Sequence, residues 1–122
     1  MAAKRVLVVE DDGIVRYLLA EALLDVGYEV VDVADGDTAV KKLNYPDDFD
    51  VLVTDVQIPG SCDGLEVVEY ARHAHPKIGV VIVSGYAASL TERLAKTPKP
   101  FQFLSKPYRI TQLIELITQE AA

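Results

Sequence analysis

The chain has one cysteine, Cys62, so no internal disulfide can staple it, and a reducing compartment, the cytoplasm, is the expected location. It has no apolar run long enough to span a membrane and no signal-peptide pattern. Positive charge is scarce: 12 lysines and arginines face 19 aspartates and glutamates, a net charge of −7. With no basic run and no interleaved basic–aromatic patch, direct nucleic-acid binding is set aside, because its affinity rests on neutralising phosphates. Neither G-x-x-x-x-G-K-[ST] nor G-x-G-x-x-G occurs, which removes nucleotide and flavin binding through a glycine-rich loop. There is also no linker, low-complexity stretch or internal repeat. Residues 1–122 read as one domain, long enough for a single core.

What is present is an alternation. Short β-rich runs fall at 5–9, 29–33, 51–54, 78–83 and 101–104, separated by helix-period segments at 13–26, 36–44, 64–75 and 110–120. A weaker helical segment lies at 88–95. Gly27, Pro46 and Pro76 stand where the first three helices should stop. The runs "VLVV", "VLVT" and "IGVVIV" are almost continuously apolar, as strands covered on both faces are. Strand–helix alternation of this kind predicts an α/β fold, a doubly wound parallel sheet with helices on both faces.

In such sheets ligands bind beyond the carboxyl ends of the strands. Four of the five runs end in chemistry: Glu10-Asp11-Asp12, Thr54-Asp55, Ser84-Gly85 and Ser105-Lys106-Pro107. The second ends in Ala34-Asp35-Gly36, ordinary turn residues, and reads as an edge strand. Two carboxylates about 4 Å apart repel by roughly 4 kcal/mol at an effective dielectric of 20, so acids gathered at one rim call for a hard cation. Mg²⁺ takes oxygen ligands, uses one or two carboxylates and shares its remaining positions with water and phosphate oxygens. Lys106 adds a second positive charge for a phosphoryl group, and the Ser84 hydroxyl can donate to a phosphoryl oxygen. A carboxylate can itself accept a phosphoryl group through an acyl phosphate, and Asp55, at the end of a buried central run, is the candidate.

These pieces match a known family. "VLVVEDDGIVR", "DVLVTDVQIPGSCDGLEVV", "VIVSGYA" and "FLSKPY", in this order and at these spacings, resemble the receiver domain of bacterial two-component response regulators over nearly the whole chain. The resemblance implies a flavodoxin-like five-stranded sheet of order 2-1-3-4-5 and a phosphorylation switch. Asp55 would be the phosphoacceptor. Asp11 would bind Mg²⁺ directly, Glu10 through water, with Asp55 and the Gln57 backbone carbonyl as further ligands. Lys106 would pair with the phosphate, Ser84 would bind a phosphoryl oxygen, and Phe103 would follow Ser84 in the switch. Gln57 and Tyr86 match positions that tune phosphoryl lifetime, and the Lys106–Pro107 bond would be cis. The donor would be a histidine kinase or a histidine phosphotransfer protein, and output would run through a protein partner. A stand-alone receiver is the expected organisation.

Two departures from the family accompany the match. The loop "PGSCDG" is one residue longer than its commonest form, for which a local adjustment is expected. "SLTERLAKTPKP" is a poor fourth helix, expected to be short or mobile. Alternatives from other classes are a receiver-like module that is never phosphorylated and a phosphatase of the haloacid dehalogenase type. The phosphatase needs a second aspartate two residues past the nucleophile, where this chain has Gln57, and it needs room for a substrate cap.

Simpler roles absorb other residues. Asp12 reads as the start of the first helix. His73 and His75 do not share a helix face and suit a helix C-terminus better than a metal. Cys62 has no activating neighbour motif. In the first helix Ile14, Val15, Leu18, Leu19, Ala22, Leu23 and Val26 sweep about 180°, wider than a core stripe needs. One edge, Ile14 and Leu18, is either covered by loops or left open for a partner helix, and Ile14, Val15 and Leu18 are the docking candidates.

Overall fold

The computed structural model describes residues 3–44, 48–85 and 90–122, so Pro46, Tyr86 and the first two residues of the expected fourth helix lie outside the described residues. The alternation in the sequence becomes β1 (Arg5–Val9), α1 (Gly13–Asp25), β2 (Glu29–Val33), α2 (Gly36–Leu43), β3 (Val51–Asp55), α3 (Gly64–Ala74), β4 (Gly79–Ser84), α4 (Leu90–Lys96), β5 (Gln102–Ser105) and α5 (Ile110–Ala121). All strand pairs are parallel and the order is β2-β1-β3-β4-β5, as the resemblance implied. The three continuously apolar runs are the three inner strands, and the run that ends in turn residues is an edge.

The pleat sends alternate residues of the inner strands to opposite faces. On one face Leu7, Val9, Leu52, Val80 and Ile82 meet Ala39, Leu43, Leu65, Val68 and Leu90 of α2, α3 and α4. On the other, six valines (Val6, Val8, Val51, Val53, Val81 and Val83) meet Leu19 and Leu23 of α1 and Leu113 and Ile117 of α5. Both layers are closed to solvent, so the sheet is rigidly seated and its strand ends become fixed platforms.

Aspartates start the first three helices. Asp12 accepts from the amides of Ile14 (2.9 Å) and Val15 (3.1 Å), the role expected of it. Asp35 accepts from Thr38 N at 2.6 Å. Asp63 and Glu66 form a reciprocal capping box at the start of α3, each bond 3.1 Å. Gly27, at φ +99°, turns the chain after α1.

The differences from expectation are local. β3 includes Asp55, and β4 and β5 each run one residue later than their apolar runs suggest. Ile78 N is taken by a turn to His75 O, whereas Ser84 pairs with Ser105 in the parallel ladder. The last rung of each of these strands is therefore polar, and hydropathy stops one residue short of it. In α1, Val26 is 56% exposed although it was expected in the core stripe, because it is the residue that caps the helix end, past the last buried turn at Leu23; Ala20 is buried instead. Among the described residues the fourth helix covers seven, Leu90–Lys96. Among the described residues no helix is long and apolar enough to cross a membrane.

Candidate functional site

The strand ends converge as their chemistry required. Asp55 closes β3 and is only 6% exposed. One carboxylate oxygen, Oδ2, forms an ion pair with Lys106 Nζ, and the other, Oδ1, accepts the Gln57 amide at 3.2 Å. Lys106 lies just past β5, where its own amide donates to Ser84 O (2.9 Å) and its bond to Pro107 is cis, as is Lys99–Pro100. Partial burial pulls the Lys106 pKa down, but the Asp55 hydrogen bond and the charges of Asp55 and Glu10 outweigh it, so the amine sits above its usual value and stays cationic. The start of α3 lies against the same aspartate: a Cβ on Gly64 would stand 1.9 Å from Asp55 O, so only glycine allows the helix to begin there.

Across the rim, Glu10 is 6% exposed and accepts the Asp12 amide at 3.0 Å, while Asp11 is open to solvent. Burial raises the Glu10 pKa and the charge of Asp55 adds to the rise, with the Asp12 amide and Lys106 acting against it. Arg16 braces this corner, donating to Glu10 O (3.0 Å) and pairing with Asp32 (3.2 Å). Carboxylate oxygens of Glu10, Asp11 and Asp55 lie within 4.8 Å of one another. Ligands opposite each other across an ion with bonds of 2.0–2.1 Å stand about 4.2 Å apart, so an all-oxygen set spread over 4.8 Å fits Mg²⁺ with one or two carboxylates bound directly and the rest reaching it through water. Gln57, whose backbone carbonyl was expected to join that set, is the second residue past Asp55, with its side chain exposed.

Ser84, the last residue of β4, is 5% exposed and donates its hydroxyl to the neighbouring Gly85 O at 2.9 Å. Phe103, in β5, is partly exposed. Tyr86 lies outside the described residues. The edge of α1 is open: Ile14 is 74% exposed and Leu18 50%, and Tyr17 is exposed beside them, whereas Val15 is half-buried. Val15 and Leu18 line a groove of about 510 Å³ that reaches Glu10, Lys106, Pro107 and Tyr108. Tyr108 was not singled out by sequence reasoning. Burial raises its phenol pKa and the charge of Glu10 adds to the effect; its position two residues past Lys106, on the same strand-end segment, was the available signal.

The residues given simpler roles behave accordingly. His75 Nε2 is hydrogen-bonded to Leu43 O at 2.9 Å, and His73 lies exposed in the last turn of α3. Burial, with the charge of Asp37, pushes the Cys62 thiol pKa up, away from reactivity. Sequence reasoning did miss a link between helices. Arg93 of α4 holds Asp63 at the start of α3 through two bonds, 2.6 and 3.1 Å.

Comparison with known proteins agrees with this geometry. The family model described as "Response regulator receiver domain" matches residues 6–118. The chain is 32% identical over 114 residues to the response regulator receiver protein CpdR of Brucella abortus, covering 93% of each. It is 34% identical over 115 residues to the sensor kinase CckA of the same organism, covering 93% of this chain but 12% of the kinase. A crystal structure of a response regulator receiver protein from Sinorhizobium medicae superposes with a TM-score of 0.88 at 30% identity, covering 98% of this chain and 94% of that one. With the matched stretch running from the second residue of β1 into α5, the chain belongs to the response regulator receiver family, a family of phosphorylation-dependent signalling switches.

Proposed function

We propose that this receiver accepts a phosphoryl group on Asp55 from the phosphohistidine of a histidine kinase or a histidine phosphotransfer protein, and changes its affinity for a protein partner as a result. The observation that carries this reading is Asp55 itself: a buried carboxylate at the centre of the rim, paired with Lys106 and gathered with Glu10 and Asp11. A carboxylate oxygen forms the new O–P bond as the P–N bond to the donor imidazole breaks, and the imidazole takes up a proton on leaving. Lys106 is already placed to follow charge onto the phosphoryl oxygens. Ser84 spends its hydroxyl on an adjacent carbonyl and can exchange that bond for one to a phosphoryl oxygen, with Phe103 moving after it.

Asp11, Asp55, the Gln57 carbonyl and, through water, Glu10 are the groups that would hold Mg²⁺. When bound, the ion would supply positive charge against the acidic pair and the incoming phosphoryl oxygens. Gln57 and Tyr86 would tune the lifetime of the product. The exposed edge of α1, with Ile14, Val15 and Leu18 beside the groove, is the surface for the donor's helix. A receiver domain working in the cytoplasm, with no contact to nucleic acid of its own, fits the acidic charge and the single cysteine.

Intact mass after incubation with acetyl phosphate, with and without Mg²⁺, tests the reading. One phosphoryl adduct that requires Mg²⁺ and disappears in Asp55→Asn is expected. An adduct that survives Asp55→Asn overturns the acceptor assignment. No adduct from acetyl phosphate or from a phosphohistidine donor leaves the unphosphorylated module as the better description.

A further inference from the structure

The long loop after Asp55 is held from outside. At its near end, the Gln57 amide bonds Asp55 and the Val56 amide bonds Val83 O, both at 3.2 Å. At its far end, both carboxylate oxygens of Asp37, on the first turn of α2, are used. Oδ2 accepts the Ser61 amide at 3.0 Å and Oδ1 accepts the Ser61 hydroxyl at 2.5 Å. An acid in a first helical turn ordinarily serves its own helix. Here Asp35 already fills that role at α2, so Asp37 is free to reach across to the loop. These bonds also hold the Asp37 carboxyl below its ordinary pKa, the Ser61 hydroxyl bond being the main cause.

Asp37 and Ser61 are both exposed, and the chain passes close to α2 on either side of them. A Cβ on Gly60, which sits at φ +107°, would stand 2.8 Å from Asp37 Oδ2, and one on Gly36 would stand 2.3 Å from Cys62 O. Apart from Asp37, the Gly36 amide at 3.3 Å from Pro59 O is the hydrogen bond that ties this stretch to α2. The loop that is longer than the commonest family form is therefore anchored by a carboxylate from a neighbouring helix.

We propose that Asp37 is a positioning residue of the acceptor site: by holding Ser61 it fixes the loop that presents the Gln57 carbonyl beside Asp55. The inference rests on the Mg²⁺ reading above, and its test uses the metal alone, with no phosphodonor. Backbone amide NMR of the full chain is followed through a Mg²⁺ titration in wild type, Asp37→Ala, Asp37→Asn and Ser61→Ala, and amide exchange at Ser61 is measured without metal.

Asp37→Ala should weaken Mg²⁺ binding roughly fivefold and speed Ser61 exchange, because the loop must then be ordered when the ion binds. Ser61→Ala, which keeps the amide bond, should weaken it roughly twofold, and Asp37→Asn, which keeps an acceptor oxygen, should fall between wild type and Asp37→Ala. Faster Ser61 exchange with unchanged Mg²⁺ affinity in Asp37→Ala overturns the positioning role. Unchanged exchange overturns the anchor itself. A wild-type protein that binds no Mg²⁺, with Ser61 still protected, overturns the metal reading and this inference with it.

Discussion

Three helices of this receiver open on glycine, and the same substitution should have opposite effects at two of them, Gly64 and Gly13. In Gly64→Ala the new Cβ would lie 1.9 Å from Asp55 O, 2.8 Å from Asp55 C and 2.9 Å from Val56 Cα. A carbon–oxygen contact of ordinary length is longer by more than an ångström, and the atoms that must yield are backbone atoms at the end of a buried central strand. Overpacking a well-filled interior costs about 1–3 kcal/mol, and a clash with backbone belongs at the upper end, about 3 kcal/mol. In Gly13→Ala the nearest atom is Arg16 Nη2 at 3.8 Å, and the residue does not occupy the positive-φ region. There the alanine restricts the unfolded chain and should stabilise by about 0.4–1 kcal/mol. With an unfolding entropy near 2.1 cal/mol/K per residue, these 122 residues convert 1 kcal/mol into about 4 °C. Thermal and urea unfolding should therefore place Gly64→Ala about 12 °C below wild type and Gly13→Ala about 2–4 °C above it. Equal shifts for the two variants, or a Gly64→Ala within 0.5 kcal/mol of wild type, would refute the close approach of α3 to the acceptor strand.

Two further outcomes follow from the packing and the charges. Leu23 is fully buried and Leu18 half-exposed on the same helix. Leu23→Ala should lose about 2–5 kcal/mol, while Leu18→Ala should stay within about 0.5 kcal/mol yet slow transfer from a phosphohistidine donor and leave acetyl phosphate labelling unchanged; equal slowing with both donors would contradict a docking role. Partial burial pushes the Asp63 carboxyl up, but the Arg93 bonds and the Glu66 amide more than offset it, so the folded pKa lies below the ordinary 3.8. That pair therefore contributes stability above about pH 4 that is lost as pH falls through the folded value. With side chains 28% and 48% exposed, the contribution is about 0.5–1 kcal/mol. Arg93→Ala should remove that much of the acid-limb slope in urea unfolding between pH 5 and 2, and an unchanged limb would mean the pair does not hold in solution.

The sheet and the rim were legible in the sequence for one reason. Inner strands buried on both faces must be continuously apolar, and the polar residues that end them can point only to the rim. Strand order came from the family resemblance and not from the hydropathy pattern, which carries no information about neighbours. Asp55 and Ser84 fell just outside the predicted strands because a residue in the ladder can be polar when its side chain lies at the sheet's end. Contacts between distant polar residues were not legible at all. Asp37 with Ser61, Arg93 with Asp63 and Arg16 with Asp32 join segments 16 to 30 residues apart, and each partner taken alone looks like a solvated charge or turn residue. Their pairing is a property of the folded layers.

The six valines that line the α1–α5 face of the inner strands have a consequence for how this protein can store a change of state. A valine has one side-chain torsion, already narrowed by branching at Cβ, so a close-packed sheet of them has few alternative arrangements close in energy. Side chains with more freedom lie along β4 and β5: the Ser84 hydroxyl and the partly exposed Phe103. On the function proposed above, a change of state at Asp55 would be carried along β4 and β5, while the α1–α5 face would keep one shape in both states and could be recognised again after each cycle.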